Sequence, residues 1–161
     1  MAYKVREKIE GGSPAATKRW FMCNAFQYPA PGTDFTPEQK GAGLAASKTA
    51  KKCWVPLNML KIGDEIIGYK VLGVLTSGGN TVTVDAKISK IAKAGTVTNI
   101  TGGGITQVSK SAAYTMDEAC TLTTKETVAT DYMYNIEIAG TTAATTTIKV
   151  VGVELRFNRK G

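Results

Sequence analysis

The sequence predicts an all-β protein, an antiparallel β-sandwich or jelly-roll-like barrel carrying an extended N-terminal arm. Three observations lead there. After residue 56, short β-branched and apolar runs recur at spacings of roughly 8 to 15 residues, as in sandwiches and barrels. No sustained helical period interrupts them. Of the 22 threonines, 18 fall after residue 70, where a branched polar side chain suits the outer face of a sheet.

Composition narrows the function classes. A chain of 161 residues with 43% apolar and 20% charged residues is expected to form one globular domain, or one domain with an appendage. No apolar run approaches the ~20 residues that span a bilayer. Met1–Arg6 has a basic start with no apolar stretch behind it, so no secretory signal is expected. Histidine is absent, which removes the commonest general base, the Ser-His and Cys-His nucleophile pairs, and most zinc sites other than all-cysteine ones. A non-enzymatic protein without metal or cofactor is expected. Cys23, Cys53 and Cys120 are too widely spaced for a zinc knuckle or a disulfide framework, and read as reduced, packed thiols.

Taken in order, the elements begin with the arm, residues 1–56. Gly11-Gly12-Ser13-Pro14, Pro29-Ala30-Pro31-Gly32 and Gly41-Ala42-Gly43 punctuate it, and no period of 2 or 3.6 is sustained. Trp20, Phe21, Phe26, Tyr28 and Phe35 give it too much apolar surface for a solvated linker, so it is expected to dock on its own body or on a neighbouring subunit. A turn of helix is expected at Pro37–Lys40, with Thr36 as N-cap. The body, residues 57–161, opens with a strand over Ile66–Leu75. Gly78-Gly79-Asn80 then reads as a hairpin turn into the alternating Thr81–Ala86. Ile88, Ile91 and Ala92 suggest a short helical turn over Asp85–Ala94, ended by Gly95. Shorter strands follow at Thr96–Ile100, at Ile105–Ser109 and around Thr121–Thr123. Tyr132–Ile138 and Thr146–Phe157 alternate clearly and read as the two closing strands.

Charge is unevenly placed. Residues 1–61 hold ten Lys/Arg against four Asp/Glu, 10 − 4 = +6, whereas the remainder holds ten against nine, or +1. Lys48, Lys51 and Lys52, with Trp54 just beyond, form the densest basic patch, and Lys18-Arg19-Trp20-Phe21 forms a second. Cations interleaved with aromatics suit an anchor on a protein surface, where rings fill pockets and charges fix register. They equally suit a single-stranded nucleic acid, neutralised by Lys/Arg and stacked on rings. The candidate partner-binding residues are therefore Lys18, Arg19, Trp20, Phe21, Phe26, Tyr28, Phe35, Lys48, Lys51, Lys52 and Trp54. Gly102-Gly103-Gly104 lacks the Lys-Ser/Thr of a phosphate loop and reads as a plain turn. Asp64-Glu65 and Asp117-Glu118 read as surface turns, because adjacent strand residues point to opposite faces and neither pair can flank one substrate.

Leu60-Lys61-Ile62-Gly63-Asp64-Glu65-Ile66, the Gly78–Ala86 segment and the closing Tyr134–Leu155 stretch resemble small β-sandwich structural proteins of tailed bacteriophages, closest to capsid decoration (cement) and head-fibre proteins. The resemblance covers residues 57–157. It implies a virion protein made in the host cytoplasm and bound to the capsid exterior. It further implies the major capsid protein as partner and a homo-oligomer, a trimer in preference to a dimer, with no membrane or nucleic acid engaged. In such a role, edge strands at Val71–Leu75 or Thr146–Val151 pair across a subunit boundary. The alternatives are another virion component of the tail or head-tail junction, a basic nucleic-acid-binding module, and a carbohydrate-binding or hydrolytic β-sandwich of the tail resting on Trp54, Tyr132 and Tyr134.

Overall fold

Strict alternation is what the chain converts into structure. In the strand Tyr132–Thr142, Tyr134, Ile136 and Ile138 are buried, while Asn135 and Glu137 stay partly open to solvent. The computed structural model describes residues 16–22, 26–28, 35–38 and 41–159. Residues 1–15, Cys23, Pro29–Gly32 and Lys40, all invoked above, lie outside them. The strands are β1 (Thr17–Met22), β2 (Thr36–Glu38), β3 (Gly41–Leu44), β4 (Lys48–Pro56), β5 (Glu65–Thr76), β6 (Val82–Ala92), β7 (Val97–Gly104), β8 (Val108–Lys110), β9 (Tyr114–Thr127), β10 (Tyr132–Thr142) and β11 (Thr147–Asn158).

These strands form two antiparallel sheets, and no helix occurs among the described residues. The first runs β2-β3-β11-β5-β9, with β1 also paired to β11; the second runs β4-β10-β6-β7, with β8 also on β6. The β3 and β1 strands share one edge of β11, pairing with Ile148–Val150 and with Gly152–Phe157 respectively. From β3 to β6 the chain changes sheet at every connection, and it does so again from β8 through β11. The fold is an antiparallel β-sandwich.

The core lies between the sheets. Phe35, Leu44, Ile66, Tyr69, Leu75, Ile88, Met116, Ile136, Ile138, Ile148, Leu155 and Phe157 are fully buried there. On one side β7 and β9 approach each other, and the Tyr69 hydroxyl donates to the Gly103 carbonyl at 3.0 Å. The glycine run permits this approach. Gly102 has φ +70°, and a Cβ on Gly103 would sit 2.5 Å from Ile88 Cγ2 and 2.8 Å from the Ile100 carbonyl. The run is thus the kinked end of β7, not a plain turn.

Several expectations need correcting. The described residues of the arm belong to the sandwich: β1, β2 and β3 extend the first sheet, and β4 is a strand of the second, so residue 56 ends a strand inside the fold. The proposed helix start at Thr36–Glu38 is β2, because Pro37 sits comfortably on a short edge strand. The helical turn at Asp85–Ala94 is the continuation of β6 to Ala92, held by pairing to β10 along its length. Ile66–Leu75 and Thr81–Ala86 do not form a hairpin. They lie in β5 and β6, in different sheets, and the Gly78-Gly79-Asn80 turn crosses between them. Val71–Leu75 lies in β5 and Thr146–Val151 runs into β11, which begins at Thr147; both strands are paired on both sides, and therefore neither is a free edge. Asp117 and Glu118 lie within β9, on opposite faces: Asp117 meets Lys70 at 2.9 Å, and Glu118 accepts a hydrogen bond from Tyr114 at 2.7 Å.

Asp64 is no surface residue either. It is buried in the connection before β5, where its carboxylate accepts the Lys61 N–H at 2.9 Å and is gripped by Arg159 through Nη2 at 2.9 Å and Nε at 3.3 Å. The Arg159 guanidinium holds the carboxyl below its ordinary range, against the opposing effect of burial.

Candidate functional site

The outer face of the second sheet forms a groove of about 360 Å³, open to solvent. Register builds it in rungs. Trp54 on β4, Glu137 on β10 and Lys87 on β6 stand side by side. The next rung carries Asn135, Ser89 and Asn99 of β10, β6 and β7, and beyond it Ile91 faces Val97. Gln27 closes the groove beside Trp54, since the two residues exchange backbone hydrogen bonds at 2.7 and 3.0 Å along the outer edge of β4.

Electrostatics on this face centre on Glu137. The indole Nε1–H of Trp54 donates to Glu137 Oε2 at 3.2 Å, and Lys52 and Lys87 reach Oε1 at 3.1 and 3.3 Å. Partial burial pushes the Glu137 carboxyl up, but the two ammonium groups outweigh it and hold it below its ordinary value. The Ser89 hydroxyl donates to Asn135 Oδ1. Neither the Asn99 nor the Gln27 side chain has a hydrogen-bond partner among the described residues.

A second surface lies on β1. It pairs with β11 on one side, and its other edge has no strand partner among the described residues. Lys18, Arg19 and Trp20 are exposed there, Trp20 by 49%, while the next residue, Phe21, turns into the core. Glu154 and Lys70 stand next to Trp20 across the outer face of the first sheet.

The expected partner-binding residues therefore separate into groups. Phe21, Phe26 and Phe35 are core residues, and their burial removes them from any partner surface. Tyr28 is half-buried and packs against that core. Lys18, Arg19 and Trp20 share β1, whereas Lys48, Lys51, Lys52 and Trp54 belong to β4 in the other sheet. Sequence reasoning missed Gln27, Lys87, Asn99, Asn135 and Glu137. Alternation on β10 does put Asn135 and Glu137 on the outward face, but only the strand order sets them beside Trp54. Tyr134, singled out as a possible ring for sugars, is buried; its hydroxyl approaches Glu126, which also pairs with Lys90.

Among the described residues, no group of three or more Cys, Asp or Glu is placed to hold a metal ion. Cys53 and Cys120 are buried and free. Burial raises both thiols, Cys53 most strongly, which keeps them protonated.

No protein-family model matches the chain, and no curated protein matches it in sequence. Among solved structures, the N-terminal endo-1,4-β-D-xylanase 10B of Clostridium thermocellum (CBM22-1–GH10 modules, complexed with xylohexaose) is similar with a TM-score of 0.55 and 12% identity, over 92% of this chain and 29% of that chain. The CBM36-1 domain of a multidomain xylanase from the hindgut metagenome of Trinervitermes trinervoides gives a TM-score of 0.48 and 12% identity, over 90% of this chain and 99% of that chain. The chain thus spans under a third of the first structure's length. At such identity the likeness is one of fold, the β-sandwich.

Proposed function

We propose that this chain is a non-enzymatic virion protein that binds the outside of an assembled bacteriophage capsid as a decoration or cement protein, bridging copies of the major capsid protein. The observation that supports it best is β1, which exposes Lys18, Arg19 and Trp20 together and has one edge without a strand partner among the described residues. An exposed Trp flanked by cations is the composition of a protein-binding hot spot, and an unpaired strand edge offers backbone groups to a neighbour. A ligand that binds the assembled shell and not free subunits stabilises the shell by mass action.

Nucleic acid is the weaker reading. Base stacking needs exposed rings. Of the aromatics clustered between residues 20 and 35, Phe21, Phe26 and Phe35 are buried and Tyr28 is half-buried, which leaves Trp20; Trp54 stands apart in the other sheet, so the two rings do not share one stacking surface.

Co-sedimentation of the purified protein with particles tests the proposal. Trp20→Ala is expected to leave the circular dichroism spectrum unchanged and to weaken binding about 30-fold, the effect of a hot-spot loss of about 2 kcal/mol. Lys18→Ala/Arg19→Ala should weaken it most at low salt, with the difference from the parent protein shrinking as salt rises. Particle binding undiminished in both variants would overturn the proposal. Sedimentation of the free protein reads the accompanying expectation of a homotrimer.

A further inference from the structure

The groove on the second sheet is separate from β1, and the proposed capsid contact does not use it. The β10 and β6 strands that floor it are paired on both sides, so their backbone groups are already satisfied. A ligand there is recognised through side chains alone. This disfavours an added peptide strand, which is recognised through its main chain.

The side chains specify the ligand's chemistry. Trp54 has committed its only donor, the indole N–H, to Glu137, so what it offers a ligand is apolar ring surface. The lysines nearest to it, Lys52 and Lys87, share the Glu137 carboxylate within 3.3 Å, so one of their two charges is offset inside the protein and a single net positive charge is left beside the ring. That arrangement gives little attraction for a polyanion. The remaining polar groups are neutral: the Asn99 and Gln27 amides, without partners among the described residues, and the Ser89–Asn135 pair, whose amide N–H groups are still available. Each amide presents a donor and an acceptor, which matches the adjacent hydroxyls of a sugar. The volume of about 360 Å³ is that of a small-ligand site, and its open form admits a chain that continues beyond it.

We infer that this groove binds a neutral saccharide, with a pyranose ring stacked on Trp54 and its hydroxyls hydrogen-bonded by Asn99, Asn135 and Gln27. A surface glycan is the substrate class. A virion protein with such a site holds a particle to glycan-coated surfaces while its β1 edge holds the shell. The two activities use different faces, and either can fail without the other.

The test uses the full-length protein on a glycan array carrying neutral hexose and pentose oligosaccharides together with uronic-acid and sulfated ones. Titration of the hits follows by tryptophan fluorescence in a Trp20→Phe background, where Trp54 is the single tryptophan. Saturable binding to neutral glycans, with a change in Trp54 emission, is expected. Asn99→Ala should weaken it at least threefold and Trp54→Ala at least tenfold. Should Trp54→Ala fail to fold, Asn99→Ala and Asn135→Ala carry the test, because both residues sit on the solvent side of the sheet. The inference is overturned by an array without hits, by binding confined to acidic glycans, or by affinity unchanged in the groove variants.

Discussion

Removing the Phe35 ring asks whether the N-terminal segment is part of the core or an attachment to it. Phe35 precedes β2 by one residue and is 0% exposed. A buried Phe withdraws roughly 150–200 Å² from water, which at about 25 cal/mol per Å² is about 4–5 kcal/mol as an upper estimate. Mutational data on buried Phe→Ala changes give a similar ~3–5 kcal/mol. Against the ~5–15 kcal/mol of a typical domain, Phe35→Ala should therefore consume a large part of the stability. With a urea m-value of about 2 kcal/mol per M, the midpoint should fall by roughly 2 M. The site also contains an internal control. A Cβ on Gly140 would lie 2.6 Å from Ile148 Cδ1, 3.0 Å from Leu44 Cδ2 and 3.1 Å from Phe35 Cζ. Gly140→Ala alone should overpack this corner at about 1–3 kcal/mol. In the Phe35→Ala background one of those three contacts is gone and its space is vacant, so the second substitution should cost less, with a coupling above about 0.5 kcal/mol. Equilibrium urea unfolding of the four proteins measures all of this. A Phe35→Ala loss below about 1 kcal/mol, together with additive substitutions, would refute the placement of Phe35 under Gly140. On the same reasoning, deleting residues 1–52 should abolish cooperative unfolding, because it removes β1, β2, β3 and the first half of β4.

Three further outcomes follow from particular groups. Asp64 has its folded-state pKa lowered by Arg159, so its contribution to stability is present above the ordinary carboxylate value of about 3.9 and is lost as pH falls through the folded-state value. Asp64→Asn should therefore be destabilised at pH 7 and approach the parent protein as pH falls through that folded-state value; a difference unchanged by acid would remove the ion pair as its cause. The buried thiols of Cys53 and Cys120 should resist a charged thiol reagent in the folded protein and react promptly in urea, as read by peptide mass mapping. Rapid native labelling of Cys53 would show that β4 is not seated on the core. Val97→Ser, at an exposed position at the rim of the groove, should change the urea midpoint by no more than the equivalent of about 0.5 kcal/mol.

The fold class was legible because it rests on local pattern: Tyr134, Ile136 and Ile138 alternate with Asn135 and Glu137 whatever the partners are. Pairing was not. Gly78-Gly79-Asn80 has the residues of a tight turn, and tight turns usually join neighbours in one sheet. Here the loop runs between sheets. The Asn80 side chain donates to the Ala144 carbonyl at 2.8 Å and the Ser77 hydroxyl to the Ser111 carbonyl at 2.9 Å, long-range contacts that no local pattern announces. Short β2 and β3 escaped notice for a related reason. Gly41-Ala42-Gly43-Leu44 has little strand propensity, and it is held as strand by Ile148–Val150 on one side and Thr36–Glu38 on the other. The groove failed a third way: Trp54, Asn99 and Glu137 are far apart in sequence, and their adjacency exists only once β4, β10, β6 and β7 are set in order.

The basic excess of residues 1–61 looks different once each charge has a place. Lys52 is drawn to Glu137 and away from any partner, and Lys48 and Lys51 share its strand. Lys18 and Arg19, by contrast, make no ion pair among the described residues and directly precede the exposed Trp20 on a strand whose other edge has no strand partner among them. Two cations beside one ring are too few to track a phosphate backbone, since each phosphate contact adds only one step to the salt dependence of binding. They suffice to orient a strand against a protein surface of opposite charge, where steering sets the rate and the buried ring sets the residence time. On this account, rising salt should slow the capture of particles with little change in release, whereas Trp20→Ala should hasten release with little change in capture. Surface plasmon resonance on immobilised particles separates the two, and a salt effect confined to release would contradict the assignment of Lys18 and Arg19 to steering.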